Sequence, residues 1–185
     1  MNAPFARPVV APERHRFNQA EVQAMAAAGL LDQMGAFEVL DGDIIHMPSE
    51  GGPHLDLKAA LNLWLARTLP ASFSLVCDGT LFLDETNLPE PDFYLFDAAL
   101  RPSQVRGPDV KLLIELSDTS LRHDLQRKAD LYRAFDVQEY WVADLNAHVV
   151  HRHGAAGWPA PAVPFATALA PAALPGLSIR LADFV

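Results

Sequence analysis

From Val110 to Ala143 the chain passes through an apolar run, an amphipathic segment and a second apolar run, and that order leaves few folds open. Val110 to Leu116 is a strand candidate, and Leu121 to about Phe135 repeats apolar residues at helical spacing. Glu139 to Ala143 then returns to a strand pattern and forms a hairpin with His148 to His151 around Asn146-Ala147. Strand, helix and strand in succession, combined with hairpins, imply a mixed sheet covered by helices.

The remainder fits that class. Asn18 with Glu21 three residues later is a capping-box pattern that opens a short helix reaching about Ala28. Phe37 to Leu40 and Asp43 to Met47 flank Asp41-Gly42, a pair suited to the positive φ of a tight hairpin. Leu57, Leu61, Trp64 and Leu65 place a helix from His54 to about Leu69 against the sheet. Phe73 to Leu83 and Asp92 to Phe96 are further strand candidates, and 154–176, rich in Pro, Ala and Gly, reads as an irregular loop.

Half of the 185 residues are hydrophobic, enough for one sizeable core, and no stretch has the roughly 20 apolar residues of a membrane helix. The lone Cys77 cannot form an internal disulfide, and the amino terminus, with Pro4, Pro8 and Pro12, has no apolar signal core. A soluble, cytoplasmic protein with no membrane partner is expected. The net charge of -9 opposes unspecific binding to phosphates, although seven of the fourteen basic residues fall between Arg101 and Arg133.

Three charges stand where apolar residues are expected. Strand alternation puts Glu115 within an apolar strand, and Asp92 opens the run Phe93-Tyr94-Leu95-Phe96. A buried carboxylate needs a cation, a metal or several donors. Lys128 lies in the middle of the helical stripe Leu121, Leu125, Tyr132 and Phe135, so its stem points to the sheet and its ammonium toward a carboxylate beneath. Its truncation to Ala is expected to leave the stripe packed. His54 reads as a helix-start residue bonding backbone, Tyr132 and Trp141 as core, and His151 with His153 as a pair too small to define a metal site.

The segments PEPDFYLF, LLIELSDTSLRHDLQRKADLYRAFDVQEYWVADL, FEVLDGDIIHMPSEGGPH and LPGLSIRLADF together resemble the Uma-type restriction endonucleases, a bacterial group within the PD-(D/E)XK nuclease superfamily. The resemblance implies an α/β restriction-endonuclease-like fold, a mixed β-sheet flanked by α-helices in a single domain over 17–185, after a flexible arm over 1–16. Asp92 matches the aspartate of the PD element, Glu115 the second acid, and Lys128 a lysine relocated from the position where this chain has Ser117. Glu38 matches a further acid. Asp118 stands where the family usually has proline, and Asp136 where it has glycine at a helix end.

By that resemblance Asp92, Glu115, the Leu116 carbonyl and Glu38 would hold Mg²⁺ or Mn²⁺, and Lys128 would orient water and offset phosphate charge. The expected activity is metal-dependent cleavage of phosphodiester bonds, with double-stranded DNA as substrate and a homodimer as the assembly. A catalytically inactive DNA-binding or protein-interaction module is the alternative, and RNA or a branched junction is a third substrate class.

Overall fold

The computed structural model describes residues 14–154 and 157–185, so the arm expected over 1–16 lies almost wholly outside the described residues. Helix α1 (Gln19–Ala27) begins at the expected cap: Glu21 N-H donates to Asn18 Oδ1 at 3.0 Å, and Asn18 N-H donates to Glu21 Oε2 at 2.9 Å. Strands β1 (Phe37–Leu40) and β2 (Asp43–His46) form a two-stranded hairpin. Asp41 and Gly42 turn it with φ of 58° and 73°.

Helix α2 (Gly52–Thr68) follows, then β3 (Phe73–Cys77), β4 (Phe93–Asp97) and β5 (Leu112–Ser117). β3 stops at Cys77 rather than Leu83 because Asp78, at φ 52°, turns the chain. The next helical segment has three parts, α3 (Leu121–His123), a π-helical turn (Asp124–Lys128) and α4 (Ala129–Ala134). Ala129 N-H donates to Asp124 O within that turn, and the same carbonyl accepts the Tyr140 hydroxyl at 3.1 Å. Asp136 at φ 57° ends the segment in the left-handed conformation that glycine usually supplies.

β6 (Tyr140–Asp144), β7 (Val149–His153) and β8 (Val163–Pro164) complete a six-stranded sheet in the order β3-β4-β5-β6-β7-β8. Among the described residues only β5 and β6 run parallel, which the helical crossover between them requires. The loop over 154–176 contributes β8, and one bridge near the carboxy terminus joins Leu169 with Ile179.

The alternation of β5 separates two cores. Leu112, Ile114 and Leu116 pack with Leu57, Leu61 and Leu65 of α2, whereas Leu113 packs with Ala129 and Tyr132 of α4. Glu115 shares the face of Leu113, beneath α4. The loop before β5 is fitted to the end of α4 at Gly107, where an added Cβ would lie 1.8 Å from the Phe135 carbonyl oxygen. Gly107→Ala is expected to cost about 1–3 kcal/mol through overpacking, read as a lower midpoint in urea. An unchanged midpoint would contradict that fit.

Candidate active site

The antiparallel register of β4 with β5 pairs Phe93 with Ile114, so one step back along β4 Asp92 stands opposite Glu115. Their contacts are reciprocal. Asp92 Oδ2 accepts the Leu116 N-H at 2.7 Å, and Glu115 Oε2 accepts the Asp92 N-H at 3.4 Å. Both side chains are buried, which makes their remaining partners decisive.

Lys128 is the partner of Glu115. The Lys128 Nζ lies 3.0 Å from Glu115 Oε1 and 3.0 Å from Glu38 Oε2, joining the strand acid to the hairpin acid. One helical turn on, the Tyr132 hydroxyl donates to Glu115 Oε1 at 3.1 Å. Glu38 also meets His123 Nε2 at 3.3 Å. The helix is held over the strand by Ser117, whose Oγ donates to buried Asp124 Oδ2 at 2.8 Å. Ser117 thereby anchors the helix that carries Lys128.

The cationic partners of Asp92 come instead from the start of α2. His54 Nε2 is 3.4 Å from Asp92 Oδ2, and the Lys58 Nζ is 2.9 Å from Asp92 Oδ1. His54 also places Nδ1 3.3 Å from Glu50 Oε2, and Lys58 bonds Glu50 Oε1 and Asp78 Oδ1, the latter at 2.7 Å. His54 and Lys58, four residues apart, lie on one side of the start of α2, and Glu50 reaches them from just before it.

Glu38, Glu50, His54, Asp92, Glu115, Asp124 and Lys128 line one cavity of about 410 Å³, together with Leu116, Glu90, Asp118 and His123, whereas Lys58 and Asp78 lie outside its lining. Burial drives the Glu115 carboxyl up to about 8; Lys128 opposes that rise, while Asp124, Asp92 and Glu38 add to it. Burial disfavours the charge of Lys128 as well, but Glu115 and Glu38 outweigh it and hold the ammonium protonated. Burial is overcome at Asp92 by the hydrogen bond and charge of His54 and by Lys58, and at Glu38 by His123 and Lys128, so both stay below the usual carboxylate range. His54 is desolvated too, yet Asp92 and Glu50 raise its pKa.

The expected residues Asp92, Glu115, Leu116, Lys128 and Glu38 therefore meet at one cavity. Lys128 bridges Glu115 and Glu38, while Asp92 takes its cations from α2. His54 faces Asp92 rather than helix backbone, and Glu50, Lys58 and Asp124 join it as residues that sequence patterns alone left out. Asp118 adds its carboxylate to the cavity wall. His153 instead packs on Tyr140 and Trp158.

The donor set suits a divalent cation. Among the described residues, Glu50, His54 and Asp92 each offer a ligand atom, all within 4.8 Å of one another. Moreover, His54 Nδ1 is buried without a hydrogen-bond partner. Carboxylate oxygens beside one imidazole are donors that a divalent metal ion can take.

A mixed sheet flanked by helices, with two facing acids at a strand end and a lysine over them, defines a restriction-endonuclease-like protein. The Uma2 family, described as "Putative restriction endonuclease", matches residues 20–182, and the chain belongs to it. Among solved structures, a "putative nuclease belonging to DUF820" from Anabaena variabilis is similar in fold, with a TM-score of 0.64 at 13% identity, covering 80% of this chain and 89% of that one. No curated protein matched the chain. Among the described residues, no helix is long and apolar enough to cross a membrane.

Proposed function

We propose that the chain is a metal-dependent endonuclease that hydrolyses phosphodiester bonds in double-stranded DNA. The observation that carries this reading is the Lys128 ammonium, 3.0 Å from both Glu115 and Glu38, in the cavity that also holds Asp92. Asp92, Glu115 and the Leu116 carbonyl would hold Mg²⁺ or Mn²⁺. Glu38 acts mainly by anchoring Lys128. The cation supplies Lewis acidity to a phosphate oxygen and acidifies water.

The chain's own groups do the rest. Lys128, fixed between Glu38 and Glu115, keeps a positive charge where the pentavalent phosphate gathers negative charge, and costs no reorganisation during the reaction. Water oxygen bonds to phosphorus as the opposite P-O bond breaks, and the departing chain end takes a proton. Arg122, His123 and Arg127 line a shallower neighbouring recess of about 390 Å³, suited to the backbone phosphates of the same strand. Two copies of the chain in a cytoplasmic homodimer would cut the two strands.

Purified protein incubated with supercoiled plasmid and Mg²⁺ or Mn²⁺ should yield nicked and linear forms, and Asp92→Asn should not. Cleavage confined to RNA would reassign the substrate. Failure on both would favour a nuclease-fold module that binds without cutting, the reading that the net charge of -9 supports.

The electrostatics give a second expectation. With its pKa raised to about 8, Glu115 keeps a proton at neutral pH, and a cation binding there must displace it. Mn²⁺ affinity should therefore tighten by about tenfold per pH unit up to 8 and level off above. Titration calorimetry in buffers of different ionisation enthalpy would read both the slope and the proton released. An affinity flat from pH 6 to 8 would contradict a role for Glu115 in the ion site.

A further inference from the structure

The geometry points to Lys58 as a resident counter-ion that limits the centre to one divalent cation, an inference that rests on the metal-dependent reading above. Its ammonium lies where Glu50, Asp78 and Asp92 converge, 2.7 Å from Asp78 Oδ1, 2.9 Å from Asp92 Oδ1 and hydrogen-bonded to Glu50 Oε1. The side chain is only 7% exposed. Three oxygens from three separate parts of the chain thus close on one compact charge, as they would on a hard metal ion.

A divalent cation would find the same donors attractive without Lys58. Three carboxylates against no cation leave a strongly unfavourable charge, and the buried His54 Nδ1, unbonded and 3.3 Å from Glu50 Oε2, adds a nitrogen ligand to the set. Lys58 also divides Asp92 between two tasks. Oδ1 is spent on the lysine, whereas Oδ2 faces His54 and the Leu116 N-H, so only one side of the carboxylate is available to a metal. Nucleases with two ions hold them about 3.5–4 Å apart across a shared acid, and an ion held by the other oxygen of Asp92 would face the Lys58 ammonium across that carboxylate. Lys58 is accordingly a positioning residue, which fixes ion number rather than touching substrate.

Counting Mn²⁺ per chain by electron paramagnetic resonance tests this. Wild type should bind one ion, Lys58→Met two, with spin-spin broadening, and Lys58→Arg one again. Adding Glu50→Gln to Lys58→Met should return the count to one. Lys58→Gln provides the same test if the Met form fails to fold. Two ions on wild type, or one on both neutral variants, would overturn the assignment of Lys58 alone. No ion on any form would instead overturn the metal reading itself.

Discussion

Lys128→Ala is expected to lose about 3–5 kcal/mol of stability, because removing one member of a buried ion pair strands its partners. Helical phase alone suggests the opposite, since an apolar stripe tolerates the loss of one stem. The structure changes the balance: Lys128 is 5% exposed, and its partners Glu38 and Glu115 are 3% and 6% exposed. Glu38, which His123 and Lys128 hold below the usual carboxylate range, would be left buried without its ammonium, and Glu115 would lose a hydrogen-bond donor. Combining Lys128→Met with Glu38→Gln and Glu115→Gln should recover much of the loss, since an uncharged set of similar shape incurs no ionic desolvation. Urea denaturation of the three proteins reads the effect. A loss below about 1 kcal/mol for Lys128→Ala would place the lysine in a solvated setting.

The legible part of the site was the part where a charge interrupted an apolar pattern. Glu115 inside its strand, Asp92 at the head of another and Lys128 within a helical stripe each violate local periodicity, and burial without a partner is costly enough to make such violations informative. The hairpin carrying Glu38 was legible for a different reason, because Asp41-Gly42 specifies its own turn, at φ of 58° and 73°. The mixed sheet followed from the crossover between β5 and β6.

What escaped was set by long-range packing. Lys58 follows the core residue Leu57 on α2 and looks like an ordinary solvated lysine; its partners Asp78 and Asp92 arrive from just after β3 and just before β4. Asp124 looks like a surface helix acid until Ser117 and Ser120 close over it at 2.8 and 2.6 Å. The π-helical turn is equally tertiary, since Tyr140 of the neighbouring strand takes the carbonyl of Asp124. β3 was overextended because the apolar residues Leu81 and Leu83 continue its pattern, although they reach the core after the turn at Asp78.

The most direct test of the account is single-turnover cleavage of supercoiled plasmid at saturating Mn²⁺, by wild type and by Lys128→Met. The methionine keeps the apolar stem and removes the charge, and circular dichroism would establish that the variant is folded. Wild type should convert plasmid to nicked and linear products, and Lys128→Met should do so about 10²–10³-fold more slowly, the usual cost of one transition-state electrostatic contact. Equal rates would show that phosphodiester cleavage does not run through the Lys128 centre.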